Sequence, residues 1–90
     1  MTSMDRRIAD PQALGAAIRE ARAARSWTQA ALAERAGVSR PFVLELERGA
    51  RPRAELVRVL SVLRALGKSI TLVDDGRPGS FDDILDEVLG

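Results

Sequence analysis

The chain contains no cysteine, no histidine and no tyrosine. Without cysteine there is no disulfide framework, no thiolate zinc site and no sulfur nucleophile. Without histidine the commonest general base and the commonest metal ligand are missing. One tryptophan and two phenylalanines are the whole aromatic content. No apolar run approaches the ~18 residues of a membrane span. The first ten residues hold two arginines but no apolar stretch, so they do not read as a secretory signal. The expected compartment is the cytoplasm, and neither a cofactor nor a metal is expected. What remains is a soluble composition, 46% hydrophobic and 30% charged over 90 residues, the size of one small domain.

The net charge of +1 conceals a strong asymmetry. Residues 1–70 hold thirteen of the basic residues and seven acids, a net +6. Residues 71–90 hold one arginine against six acids, a net −5. A basic body joined to an acidic tail points to two partners of opposite character. Lys68 is the single lysine, and arginine is the better reader of phosphate and guanine. The same bias also arises from a GC-rich genome.

Residues 1–10 read as a flexible arm. Asp10 followed by Pro11 is an N-cap with proline in the first helical position. Leu14, Ala17, Ile18 and Ala21 then recur at helical spacing, predicting a helix over about 11–25. Thr28 caps a second helix over 29–36, with Trp27 and Leu32 at the spacing of a hydrophobic staple and Gly37 as its stop. Ser39 caps a third over about 40–48, with Pro41 in its first turn. Leu56, Val59, Leu60, Leu63 and Leu66 mark the apolar face of a fourth over about 53–66. Ser69-Ile70-Thr71-Leu72-Val73 is β-branched and half alternating, so it reads as a strand. Residues 74–79 are turn and linker material. Ser80 opens a short tail helix with Phe81, Ile84, Leu85, Val88 and Leu89 on one side and acids on the other.

Two short helices joined by Gly37-Val38-Ser39, with small Ala33 one turn before the glycine, have the logic of a helix-turn-helix. The segment from Trp27-Thr28-Gln29 through Ala33 and Gly37 to Leu46-Glu47-Arg48-Gly49 resembles the Cro/lambda-repressor type domain of the XRE family. The likeness runs from about Leu14 to Gly67. The stretch Ala65-Leu66-Gly67-Lys68 through Val73 is similar to a narrower group, the HipB-type antitoxins. The resemblance implies a mainly α fold: a lambda-repressor-like domain of four core helices over 11–67, a dimerisation strand over 68–74, and an acidic linker and tail helix over 75–90. It implies a sequence-specific repressor of double-stranded DNA, a homodimer on an inverted-repeat operator, and a HipA-type kinase toxin as partner. No enzyme and no membrane are implied.

On the third helix Val43 and Leu46 are expected in the core, leaving Arg40, Pro41, Phe42, Leu44 and Glu45 mostly outward. Arg40, in the first turn, can grip guanine O6 and N7 with two donors, or else a phosphate. Phe42 and Leu44 can touch thymine methyl groups; alternatively Phe42 folds back over the seam between the two helices. Glu45 can accept from cytosine N4, or act through a contact within its own helix. The resemblance assigns Thr28 and Gln29 to the DNA backbone, and helix N-termini do attract phosphates. Ser39 is in the same situation. The resemblance assigns phosphates to Arg51 and Arg53 as well. It also implies that Arg22 pairs with Glu47 to fix the first helix on the third, which makes both scaffold. Arg6 and Arg7 belong to a solvated arm or reach a phosphate.

A lone strand leaves backbone groups unpaired. Ser69, Ile70, Thr71, Leu72 and Val73 are therefore expected to pair antiparallel with a second copy, the alternative being that they cover their own core. An isolated helix as short as the tail is marginal, since stability alone needs ~12–15 residues. Its apolar side implies docking on its own dimer, on a toxin, or near the basic DNA face, and HipB-type antitoxins favour the toxin. Two other readings stand beside the repressor–antitoxin: a free-standing regulator, and a protein-interaction module that no longer binds DNA. Catalysis is the weakest reading. Asp74, Asp75, Asp82 and Asp83 lack the spacing of a calcium loop.

Overall fold

The computed structural model describes residues 6–74. They form four helices: α1 (Pro11–Ala24), α2 (Gln29–Ala36), α3 (Arg40–Glu47) and α4 (Leu56–Ala65). Three of them start as the sequence predicts. The Asp10 carboxylate accepts from the Ala13 N–H at 2.7 Å, Thr28 Oγ1 from Ala31 at 3.0 Å and Ser39 Oγ from Phe42 at 3.1 Å. Each bond satisfies one of the first-turn donors that a helix cannot pair internally. Gly37 closes α2 at φ 70°, a left-handed conformation that costs glycine little and other residues more.

The core is a single cluster built from all four helices. Ile18 of α1, Leu32 and Ala33 of α2, Phe42, Val43 and Leu46 of α3, and Val59, Val62, Leu63 and Leu66 at α4 are buried together. Leu14, Trp27 and Val38 pack around it. Helix α2 packs on both α3 and α4, and α3 packs in turn on α1. Gly15 makes the α1–α3 contact possible. It is buried, and the backbone carbonyls of Leu46 and Glu47 occupy the space where a side chain would begin.

One ion pair crosses the same contact. Arg22 Nε and Nη2 donate to the two carboxylate oxygens of Glu47 at 2.6 and 2.9 Å, and Arg22 Nη1 donates to the Trp27 carbonyl at 2.8 Å. Donating hydrogen bonds to the Glu47 carboxylate raises the Arg22 pKa further above its ordinary value; burial works against this, and the charge of Glu47 adds to it. The pair joins α1, the α1–α2 turn and the end of α3, as the resemblance implies.

The fold corrects two expectations for the fourth helix, its start and its buried face. The fourth helix begins at Leu56 and not near residue 53, because the Ala54 N–H is taken by the Arg51 carbonyl in a turn and Glu55 is still extended. Its buried face is Val59, Val62, Leu63 and Leu66, so Leu56 and Leu60, expected inside, face solvent. This helix carries more apolar positions than one face can bury.

The strand expected over 69–73 has no neighbour to pair with among the described residues. Residues 69–73 have no regular secondary structure, and among the described residues no strand forms. A strand is defined by its neighbour, and within the described chain none is supplied. The segment does not cover its own core either: Ile70 and Val73 are exposed, and Leu72 is 94% exposed. Its end is held by Arg7 Nη1, which donates to the Asp74 carbonyl at 3.2 Å. Arg6 is paired with Glu20. The tail helix expected from Ser80 onwards lies outside the described residues.

Candidate nucleic-acid interface

An α-helix that buries residues 42, 43 and 46 presents 40, 41, 44, 45 and 48 on its other side. In α3 that outer side is Arg40 and Pro41, fully outward in the first turn, then half-buried Leu44 and Glu45, then exposed Arg48. The first turn of α3 is therefore its most accessible part, and it carries a guanidinium. The N-termini of α2 and α3 each present a capped turn with a hydroxyl residue at its head. Thr28 and Ser39 accept the cap bond through oxygen and keep a hydroxyl proton to donate. A phosphate oxygen is the natural acceptor for such a donor, assisted by the helix dipole.

Of the two places open to Phe42, outward against a thymine methyl or folded back over the seam, the structure shows the inward one: it is 1% exposed in the core, which corrects its assignment as a DNA contact. It joins the apolar cluster built from all four helices, which outweighs any gain from standing on a polar face. Burying a phenyl group stabilises by ~1.5–3 kcal/mol relative to leaving it exposed. Leu44 keeps part of its surface outside and remains the apolar group available to a thymine methyl.

Glu45 and Arg51, predicted as independent contacts to cytosine and phosphate, form an ion pair with each other. The guanidinium of Arg51 also lies over the Phe42 ring, 5.1 Å from its centre. This cation–π contact tethers the loop after α3 to the recognition-type helix and holds one positive charge at its flank. The pairing was hard to foresee, because it joins a helix position to a loop six residues on. Arg53 is exposed in the same loop. Gln29 is half-buried, and its amide donates inward to Glu47 Oε1 at 3.2 Å. It thus joins α2 to the Arg22–Glu47 pair, and this donor is committed to the scaffold.

Trp27 was expected as a staple, and it packs against the core with two guanidiniums on its ring: Arg35 at 4.3 Å and Arg25 at 5.0 Å from the centroid. Arg25 also donates to the Leu66 carbonyl at 3.1 Å and so ties the end of α1 to the end of α4. Neither arginine was singled out from the sequence. The signal available was the placement of two arginines around the one tryptophan.

Among the described residues no cluster of acidic side chains could hold a metal ion, and no helix is long and apolar enough to cross a membrane. The arrangement offers an outward first turn, two helix N-termini and a cationic loop, which is chemistry for an extended polyanion with readable edges. Residues 18–73 match the family described as helix-turn-helix, HTH_3. An uncharacterized HTH-type transcriptional regulator of Sinorhizobium fredii is 40% identical over 73 residues, which is 81% of this chain and 95% of that protein.

Proposed function

The chain belongs to the helix-turn-helix family, and we propose that it is a sequence-specific DNA-binding transcriptional repressor. The observation that carries this reading is the outward first turn of α3, with Arg40 and Pro41 exposed beside the capped N-terminus at Ser39. The relative in Sinorhizobium fredii, named as a transcriptional regulator, agrees with it. In this reading α3 enters the major groove and Arg40 meets a guanine edge through two donors. Leu44 lies against a thymine methyl, and Glu45 orients Arg51. Thr28, Ser39, Arg51 and Arg53 lie along the phosphates, while the inward Gln29 supports the Arg22–Glu47 pair behind them. Phosphate contacts fix register, whereas base contacts specify.

Arg40→Ala is expected to relax base preference at one position, costing about 1–3 kcal/mol for the preferred base pair alone. Arg53→Ala is expected to weaken all sequences alike and to flatten the slope of log affinity against log salt by about one unit. Binding titrations on matched and scrambled duplexes separate the two. If Arg40→Ala lowers specific and nonspecific binding equally, Arg40 is a phosphate ligand.

The repressor acts as a homodimer through Ser69–Val73. The exposure of Ile70, Leu72 and Val73 supports this, since a paired strand would cover them. Two copies related by a two-fold axis present two α3 helices, for half-sites ~34–36 Å apart or a multiple of that. Sedimentation should give twice the chain mass, and Thr71→Pro should weaken association by removing a ladder donor. A folded wild-type chain that stays monomeric would count against it.

The resemblance of 65–73 to HipB-type antitoxins, together with the acidic amphipathic tail, favours a second role. In it the dimer neutralises a HipA-type kinase toxin through Phe81, Ile84, Leu85, Val88 and Leu89 and represses the shared operon. Capture of the neighbouring gene's kinase-like product by the wild-type chain, lost on Leu85→Ser with Val88→Ser, is the expected result. Equal capture by both chains would move the toxin contact off the tail.

A further inference from the structure

The solvent side of α4 is apolar where a solvent side is ordinarily polar. Leu56 and Val57 are 63% and 74% exposed, and Leu60 stands one turn further on the same side. Scattered exposed leucines are ordinary, but three at positions i, i+1 and i+4 form one continuous stripe. Its surroundings are cationic: Arg53, Arg58, Arg64 and Lys68 are exposed on or beside this helix, against one acid, Glu55, which lies 3.6 Å from Arg58 and offsets one of the four charges.

That charge selects the occupant. A second copy seated face to face would bring two such cationic rims together, and like charges across an interface oppose pairing. A complementary occupant is apolar on one side, acidic on the other and short of basic residues. Residues 80–90 of this chain have that character: Phe81, Ile84, Leu85 and Val88 on one side, and four acids with no base among them. The described body ends at Asp74, and the five residues 75–79 span up to about 17 Å. A body of this size has a radius of gyration of only ~11 Å. A covalent tether of that length holds its segment at about millimolar effective concentration, which favours it over a separate molecule.

We propose that the exposed stripe Leu56–Val57–Leu60 of α4 is the docking surface for the apolar side chains of residues 80–90 of the same chain, with the acids of that segment matched to Arg58 and Arg64. The proposal rests on the four-helix body and the charge pattern, not on the regulator reading. It defines a contact that any partner of the tail must displace.

Amide hydrogen exchange and backbone resonances of residues 81–89 in the full chain test it. In the wild type these amides should exchange at least tenfold more slowly than a random coil. In Leu56→Ser with Val57→Ser they should return to random-coil rates, while the amides of α1 and α3 keep their protection because both substituted side chains are exposed. Arg58→Glu with Arg64→Glu should reduce the tail's protection in the same direction. Random-coil exchange of the tail in the wild type would overturn the proposal, as would tail protection unchanged by the α4 substitutions. Protection that disappears on dilution would also overturn it, by assigning the surface to another molecule.

Discussion

Gly15→Ala is expected to destabilise the fold by about 3 kcal/mol, against the ordinary behaviour of that substitution. In a helix interior, alanine is normally better than glycine by ~0.8–1 kcal/mol. Here the added Cβ would stand 2.5 Å from the Glu47 carbonyl oxygen and closer still to that of Leu46. Favourable contacts of this kind need about 3.5 Å. Both obstacles are backbone, so no side chain can swing aside. The Leu46 carbonyl also accepts from the Gly49 N–H at 3.1 Å, so moving it disturbs the end of α3. Relief requires α1 to back away from α3, which opens the core around Ile18 and Leu46. A domain of about 70 residues has only ~4–10 kcal/mol in total, so the loss is a large fraction. Gly37→Ala is the control: its Cβ would meet nothing, and the backbone conformation alone should cost about 1 kcal/mol. Denaturant midpoints with unchanged slopes would measure both. A stabilised Gly15→Ala chain would mean that α1 and α3 do not approach as described.

Glu47→Ala is expected to cost about 3 kcal/mol, the lower end of the ~3–5 kcal/mol seen when one partner of a buried ion pair is removed. The carboxylate is 4% exposed and takes three donors, two from Arg22 and one from Gln29. Truncation leaves the guanidinium with the Trp27 carbonyl and a little solvent, which places the loss at the low end. Glu47→Gln keeps acceptor and shape without the charge and should cost less. Arg22→Lys should fail to substitute, because an ammonium cannot reproduce the two parallel donors. A Glu47→Ala chain within ~0.5 kcal/mol of wild type would show that the pair is not structural, since changes of that size are ordinary for surface sites.

The parts of the fold that were legible are those with local signatures. Thr28, Ser39 and Gly37 mark the bounds of α2 and the start of α3 because caps and left-handed stops depend on neighbouring residues alone. Gly15 had no such signature. Its reason for being glycine lies more than thirty residues along the chain, at the carbonyls of Leu46 and Glu47. Phe42 was ambiguous because an eight-residue helix turns too few times for periodicity to fix the edge of its buried face. Only the tertiary packing of the core decides it. The start of α4 was misplaced because the Arg51–Ala54 turn has the composition of a helix N-terminus. Residues 69–73 have strand composition, but a strand requires a partner, and no sequence of one copy contains it. At the site, Arg40 and Pro41 stand outward as periodicity predicts, whereas the Glu45–Arg51 pair and the inward Gln29 depend on side-chain geometry that spacing does not encode.

In the proposed complex the outward first turn of α3 reads base edges. Selection of bound duplexes from a random pool, followed by titration of the enriched site at several salt concentrations, tests it most directly. An inverted repeat should emerge, bound at least ~10³-fold more tightly than scrambled duplex. The same selection with Arg40→Ala should lose its preference at one symmetric base pair and keep the rest. Recovery of no motif, or equal affinity for enriched and scrambled duplexes at every salt concentration, would contradict the claim.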